Sequence, residues 1–155
     1  MTTTRLSLPG PDATDAAGAA LARHLAPGAT VLLSGELGAG KTHLARAAIR
    51  ALAGPEVEVV SPTFTLVQTY ATPLGELWHA DLYRIEDPSE VAETGLEDAL
   101  GTAICLIEWP ERMGVLPRDA LRLSLRHDGD GRVLELAGGP RWDGLRAALA
   151  GAVHA

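Results

Sequence analysis

The chain has 155 residues, a length that suits one domain with a full hydrophobic core and is short for two. Its formal charge of −7 at pH 7 argues against unaided binding to a nucleic-acid backbone, which needs a basic surface. No apolar run is long enough to span a bilayer, the first residues lack a signal-peptide pattern, and the only cysteine excludes an internal disulfide, so we expect a cytoplasmic protein.

The patterns of apolar, Gly and Pro residues predict an α/β chain. In chain order, the first predicted elements are an edge strand at 5–8, a helix from Pro11-Asp12 to about Leu25 with Asp12 or Thr14 as N-cap, a strand at 30–34 and a helix from Lys41 to about Ala53. Strands at 57–60, 65–70 and 76–83 follow, the last two forming a hairpin, and then one or two short helices in 88–100 that are interrupted near Gly95. The last elements are a buried strand at 103–107, a hairpin of strands 121–126 and 132–136, and a helix at 142–153. We therefore expect residues 1–155 to form a single domain, with a mixed, partly parallel sheet flanked by helices.

Residues 35–42, GELGAGKT, match the phosphate-loop pattern G-x-x-x-x-G-K-[ST] between a predicted strand and a predicted helix. Glycines let successive backbone N–H groups point at phosphate oxygens, and the helix N-terminus adds its positive end. Lys41 is the only lysine beside twelve arginines, at the position where a compact ammonium contacts the β- and γ-phosphates. The pattern predicts ATP binding with Thr42 as a Mg²⁺ ligand, in a P-loop NTPase fold. Its glycine order excludes a dinucleotide site.

Two acids are candidates for the carboxylate that such a loop needs to hold Mg²⁺ or to orient the attacking water. Glu108 ends the predicted strand at 103–107, and ligands bind at the carboxyl ends of strands in open α/β sheets. Its alternative is a charge that emerges into solvent. On a strand, Asp81 shares a face with His79 and Tyr83, so it either contacts Mg²⁺ through water or holds the loop threonines. For His79, packing or hydrogen bonding is favoured over metal binding.

Three further features have both a functional and an ordinary interpretation. Residues 61–65, SPTFT, are either a switch-like element that senses the γ-phosphate or a turn before a strand. Trp109 either stacks near the nucleotide or packs. Residues 76–98 carry eight acids against the single base Arg84, which is either a solvated face or a docking surface for a basic partner.

Four motifs together resemble the TsaE (YjeE) family in order and spacing: GELGAGKT, SPTFTLV, HADLYR and ICLIEWPE, within about residues 8–136. The resemblance implies the ATPase subunit of the bacterial machinery that makes threonylcarbamoyladenosine (t6A) in tRNA. It implies TsaD and TsaB as partners, with tRNA contacted only indirectly. The family member is not the transferase; its ATP hydrolysis is expected to reset the partner complex between rounds.

The resemblance also implies roles for individual residues. Lys41 is matched to the phosphate lysine, Thr42 and Glu108 to the Mg²⁺ ligands, and Asp81 to the acid implied in catalysis. Departures from the family pattern are Glu36, where Asp is frequent, and His43, where a second Thr is frequent. The implied nucleotide contacts are Pro11, Leu37, Gly38, Ala39, Gly40, Lys41, Thr42, His43, Thr63, Thr65, Trp109 and Arg132.

Two other functions are alternatives. A small P-loop kinase that phosphorylates a nucleotide or metabolite needs a lid with several arginines, and no Arg cluster follows the phosphate loop. A module that binds ATP without turnover is disfavoured by the carboxylates of Asp81 and Glu108. No arginine finger is obvious in the sequence, although Arg84 is a candidate, so we expect slow hydrolysis by the chain alone and faster turnover with partners.

Overall fold

A mixed sheet of seven strands organises residues 2–154, the part of the chain that the computed structural model describes. The strands are β1 (Thr2–Leu8), β2 (Thr30–Gly35), β3 (Val67–Thr72), β4 (Gly75–Asp81), β5 (Ile104–Glu108), β6 (Leu121–Asp128) and β7 (Gly131–Gly138). The helices are α1 (Pro11–Arg23), α2 (Lys41–Ala53), α3 (Leu96–Ala99) and α4 (Asp143–His154), with 3₁₀ turns at Pro88–Thr94, Pro110–Met113 and Pro140–Trp142. The strand order is β1-β7-β6-β2-β5-β4-β3.

The parallel part of the sheet lies at its centre. Strand β2 pairs in parallel with β5 and β6, and β4 pairs in parallel with β5, whereas the outer pairs are antiparallel. The carboxyl ends of β2, β4 and β5 therefore meet at one edge of the sheet. The predicted mixed, partly parallel sheet flanked by helices is confirmed.

Both faces of the central strands are buried, which explains their nearly continuous apolar sequences. In β2, Val31 and Leu33 join the core cluster that packs under α1, α2 and α4, whereas Leu32 joins the cluster on the opposite face. Strand β5 alternates in the same way and is buried along its whole length. Helices α1 and α2 approach closely at Gly18, where a Cβ would lie 2.4 Å from the Cβ of Ala47.

The N-cap of α1 differs from the prediction. The N-cap is Gly10, with no side-chain cap, and neither Asp12 nor Thr14 takes that role. Pro11 occupies the first helical position, which suits its fixed φ and missing N–H, so the helix begins where it was predicted and only the predicted N-cap is wrong. Thr14 is buried instead of capping.

The predicted strand at 57–60 is wrong, and the strand predicted at 65–70 begins later. Residues 57–60 pair with no strand of the described chain, although Val59 is buried in the core. Residues 62–66 form a turn that the Leu66 N–H closes on the Pro62 carbonyl oxygen, with Leu66 at φ 70°, so β3 starts only at Val67. The apolar side chain of Val59 is therefore buried without strand-to-strand hydrogen bonding of its backbone.

The other elements agree with the predictions within a few residues. Gly95, at φ 80°, interrupts the helical segment where expected, and both hairpins are antiparallel. Strand β4 stops at Asp81 because the Tyr83 N–H turns back to the Asp81 carboxylate. Among the described residues, no helix combines the length and the hydrophobicity that crossing a bilayer requires.

Candidate nucleotide-binding site

The loop of residues 35–40 connects the end of β2 to the start of α2. Gly35, Gly38 and Gly40 have φ values of 144°, 79° and 106°, which side chains other than that of glycine rarely allow. At Gly35 a Cβ would also lie 2.3 Å from the Leu125 carbonyl oxygen. Gly40 is the N-cap of α2 and has no side chain to satisfy the first N–H groups of the helix. Those N–H groups and the helix dipole suit an anion.

The hydroxyl of Thr42, in the first turn of α2, reaches the acid at the end of β5. Thr42 Oγ1 donates to Glu108 Oε1 over 2.8 Å, although the two residues are 66 positions apart in the chain. The pairing of β2 with β5 places Glu108 opposite Leu33, beside the loop. Glu108 is only 2% exposed, so the alternative of a charge emerging into solvent is wrong.

The second oxygen of Glu108 is held by His79 on β4. His79 Nε2 donates to Glu108 Oε2 over 2.6 Å, and the His79 side chain is completely buried. His79 Nδ1 has no hydrogen-bond partner within the described part of the chain. The sequence interpretation left His79 out of the site. The available signal was that His79 lies on the same side of the predicted strand as Asp81. The parallel pairing of β4 with β5, which brings His79 to Glu108, became visible only in the structure.

Asp81, directly opposite Glu108 in the register of β4 with β5, is the third buried polar side chain of this group. Its Oδ1 accepts from the Tyr83 N–H at 3.0 Å, and its Oδ2 accepts from the Thr63 hydroxyl at 3.3 Å. Burial raises the pKa of Asp81, and the N–H of Tyr83 partly opposes that shift. Asp81 therefore connects the 61–65 segment to the site.

Lys41 is buried against its own loop. Its ammonium donates to the carbonyl oxygens of Gly35 and Glu36, and it lies 4.1 Å from the centre of the Trp109 ring. Burial lowers the pKa of Lys41, and the nearby carboxylate of Glu108 opposes the shift. Trp109 itself stacks on Tyr83 with ring centroids 4.8 Å apart. Trp109 packs over the lysine in this conformation.

These side chains surround a cleft of about 370 Å³. Its lining consists of Leu37, Gly38, Ala39, Gly40, Lys41, Thr42, His43, Thr63, Asp81, Glu108, Trp109 and Arg132. Nearly all predicted site residues are thus brought together. Pro11 lies beside the loop, in a smaller adjoining cavity that it shares with Gly40 and Arg132. Thr65 does not reach the cleft; it accepts a hydrogen bond from Gln68 and lines a different groove.

Arg132 holds the loop from outside, whereas His43 joins the two neighbouring helices. Arg132 donates to the carbonyl oxygens of Ala39 and Gly38, at 3.1 and 3.4 Å. His43 Nε2 lies 2.7 Å from Asp15 Oδ1 and thereby joins α2 to α1. Arg84, the candidate finger, packs over Phe64 with its guanidinium carbon 4.4 Å from the ring centre.

The oxygen donors of the cleft suit a Mg²⁺ ion that is bound together with nucleotide phosphates. Within residues 2–154, no group of three or more His, Cys, Asp and Glu side chains is arranged to hold a metal ion alone. Mg²⁺ at nucleotide sites does not need one, since it is bound through one or two protein oxygens together with phosphate oxygens. The hydroxyl of Thr42 and the carboxylate of Glu108 supply those protein oxygens, so the residues fit a Mg²⁺-nucleotide.

Comparison with known proteins identifies the family. The model of the family described as "Threonylcarbamoyl adenosine biosynthesis protein TsaE" matches residues 8–134. The chain belongs to the TsaE family. This confirms the resemblance carried by the four motifs, and all of the lining residues of the cleft lie inside the matched range.

Two relatives of this TsaE-family chain, both called "tRNA threonylcarbamoyladenosine biosynthesis protein TsaE", show the extent of the similarity. The Rickettsia bellii protein is 44% identical over 108 residues, covering 69% of this chain and 75% of the relative. The Haemophilus influenzae protein is 42% identical over 108 residues, covering 68% of each. For four further Rickettsia relatives, the match spans 52% to 62% of the relative's length.

The fold is also shared with a solved structure. The crystal structure of YdiB from Bacillus subtilis matches with a TM-score of 0.78 and 27% identity, covering 96% of this chain and 95% of that chain.

Proposed function

We propose that this chain is a P-loop ATPase that binds ATP with Mg²⁺, hydrolyses it, and acts as a switch subunit in tRNA t6A biosynthesis. The observation that carries the proposal is the 2.8 Å hydrogen bond between Thr42 and Glu108, which joins the phosphate loop to a buried acid on the neighbouring parallel strand. In P-loop NTPases a loop Ser or Thr and such an acid hold the metal. Residues 1–155 would form one ATPase domain.

Phosphate binding rests on the loop amides and on Lys41. The backbone N–H groups of residues 37–42 are proposed to surround the β- and γ-phosphates. Lys41 would leave the carbonyl oxygens of Gly35 and Glu36 and donate to phosphate oxygens instead. A buried ammonium is costly without partners, and this exchange keeps it hydrogen-bonded in both states.

For hydrolysis we assign different tasks to the two acids. Glu108 already uses one oxygen for Thr42 and the other for His79, so it is assigned to the metal site together with Thr42. Asp81 is assigned to orient the water that attacks the γ-phosphorus, because its pKa is raised by burial and it lines the same cleft. The water oxygen would bond to the γ-phosphorus while the bond from the γ-phosphorus to the bridging oxygen breaks. ADP would leave with the electron pair of that bond, and the protons of the water would leave on the phosphate product. When bound, Mg²⁺ neutralises charge on the β- and γ-phosphate oxygens.

Slow turnover by the chain alone follows from the placement of the arginines. Among the described residues that line the cleft, the only arginine is Arg132, and it is hydrogen-bonded to carbonyl oxygens of the loop. A developing charge on the γ-phosphate would thus lack the arginine that accelerates many such enzymes. We propose that the partners, TsaD and TsaB, change this, and that the complex acts on tRNA in the cytoplasm without direct contact between tRNA and this chain.

The test combines nucleotide binding, turnover and co-purification. Calorimetry should show ATP binding that requires Mg²⁺ and is lost in Lys41→Ala. Thr42→Val should lose the Mg²⁺ dependence, whereas Thr42→Ser, which keeps the hydroxyl, should retain it. Glu108→Gln should prolong the lifetime of bound ATP; an unchanged lifetime would favour a passive ATP-binding module.

Two results would contradict the switch function. The first is phosphate release by the isolated chain near or above about 10 per second, the median for ordinary enzymes. The second is a TsaD–TsaB pair that does not co-purify with the chain whether or not ATP is present. Transfer of phosphate to an acceptor other than water would instead indicate the kinase alternative.

A further inference from the structure

Two clefts on the face of the sheet opposite α1 and α2 share one side chain, that of Trp78. One cleft, of about 740 Å³, runs along the start of β3 beside Phe64 and Leu66. The other, of about 500 Å³, lies beside Leu74 and Ala99. Phe64 is 79% exposed, and Leu66 and Trp78 are only partly buried against the core. We call the two clefts together the Trp78 groove.

The rim of the Trp78 groove is acidic. Glu90 and Glu93 line the first cleft, and Glu76 and Asp98 line the second. The only base that lines either cleft, among the described residues, is Arg84, which lies over the ring of Phe64. An apolar floor with an acidic rim is complementary to a segment that carries apolar side chains flanked by Lys or Arg.

We propose that the Trp78 groove docks a basic, apolar-anchored segment of a partner protein. A nucleic acid is the poorer occupant, because the rim would repel its phosphates. The exposed Phe64 and the half-buried Trp78 are aromatic side chains, which are enriched in protein interfaces, and Trp is also enriched among the residues that carry most of the binding energy. The inference rests on the proposed switch function and names the surface through which the partner acts.

The groove is physically continuous with the nucleotide cleft through residues 62–66. Thr63, next to Phe64, donates to the Asp81 carboxylate, and the Asp81 N–H donates to the Leu66 carbonyl oxygen over 2.9 Å. Leu66, which lines the groove, is held at φ 70° by the turn. A segment that displaced Phe64 or Leu66 would therefore shift groups bonded to Asp81. By linkage, nucleotide must then change partner affinity by the same factor as partner changes nucleotide affinity.

The test reverses the charge of two acids on the rim of the Trp78 groove and compares the binding of the partner with that of a matched variant, whose charge reversals lie elsewhere. Glu93→Lys with Asp98→Lys changes one exposed acid in each cleft, neither of which makes a side-chain hydrogen bond to the site. Glu56→Lys with Glu58→Lys makes the same change in net charge at exposed positions outside both clefts. The probe is the purified TsaD–TsaB pair, whose binding is followed by calorimetry with and without Mg²⁺-ATP. Nucleotide affinity of each variant without the pair serves as the control for folding.

We expect the groove variant to bind the pair about 10-fold or more weakly, with a flatter salt dependence, and the matched variant to bind like the wild type. Both variants should bind Mg²⁺-ATP normally when the pair is absent. Phe64→Ala should weaken pair binding by about 30-fold, the scale of an aromatic hot spot.

Failure of this inference is distinguishable from failure of the proposed function. If the wild type binds the pair and the groove variant binds equally well, the groove is not the docking surface, while the switch function stands. Equal weakening in the groove and matched variants overturns the location as well. If the wild type binds ATP but never the pair, the partner part of the proposed function fails and the inference with it. Self-association that the groove variant alone abolishes would identify a second copy as occupant and overturn the proposal.

Discussion

The hydrogen bond between His79 and Glu108 yields a quantitative prediction about the unliganded site. Hydrogen bonds to charged groups contribute about 1.5–3 kcal/mol when buried. His79 is completely buried and Glu108 is 2% exposed, so solvent does not weaken their contact. Single substitutions mix this contribution with others, since His79→Phe also removes the unpartnered Nδ1. Only a double-mutant cycle isolates the pair.

The cycle consists of the wild type, His79→Phe, Glu108→Met and the double variant. Phe keeps an aromatic ring without nitrogen, and Met keeps the length of Glu without charge. Urea unfolding followed by circular dichroism, in EDTA and without nucleotide, should give a coupling free energy of about 1.5–3 kcal/mol. His79→Gln, which retains a side-chain N–H donor, should keep part of the coupling with Glu108.

A surface ion pair of the same chain provides the control. Arg5 and Glu135 lie 3.0 Å apart with side chains 67% and 33% exposed. The corresponding cycle with Arg5→Met and Glu135→Met should give only about 0.2–1 kcal/mol. A coupling below about 0.5 kcal/mol for His79 and Glu108, the usual error of additivity, would refute the claim that His79 holds Glu108, the acid proposed for the metal site.

Three other outcomes are expected. Burial raises the pKa of Asp81, so the folded chain binds a proton at this carboxyl more tightly than the unfolded chain does. Above the raised pKa the ionised carboxylate therefore lowers the free energy of unfolding, and this cost disappears below the ordinary value of 3.8. Asp81→Asn should therefore raise the free energy of unfolding of the unliganded protein at pH 7, and the gain should shrink as the pH falls toward 4. The same variant should abolish phosphate release. Equal stability of variant and wild type at pH 7 in thermal unfolding would contradict this. Burial also raises the pKa of Cys105 to about 12. Ellman's reagent at pH 8 should therefore label the thiol only after denaturant is added, and rapid labelling of the folded chain would contradict this prediction. Gly35→Ala should prevent folding, since its Cβ would lie 2.3 Å from a carbonyl oxygen. Gly40→Ala should fold, because no atom lies within 4 Å of its Cβ, but calorimetry should show weak ATP binding, because alanine disfavours the φ of 106° that the loop has there.

Local patterns predicted the phosphate loop and the helix that follows it. Helix α2 runs from Lys41 to Ala53, as predicted. Its limits could be predicted because a glycine-rich turn precedes the helix and Gly54 follows it directly. The apolar run of β5 likewise predicted a strand buried on both faces. The strand at 57–60 was predicted from the same kind of pattern and is absent, since apolar β-branched residues pack into a core equally well without a pairing partner.

The sequence alone therefore determined the family, the glycine-rich turn before α2 and the residue types of the candidate site. Only the tertiary structure decided which side chains meet. Thr42, His79 and Glu108 are brought together because β4, β5 and β2 are adjacent and parallel, in a register that ends all three at one edge. Strand order and register depend on contacts between distant segments, which local periodicity does not specify. The same reason explains why Thr65 and Arg84 face the Trp78 groove although their motifs suggested the nucleotide.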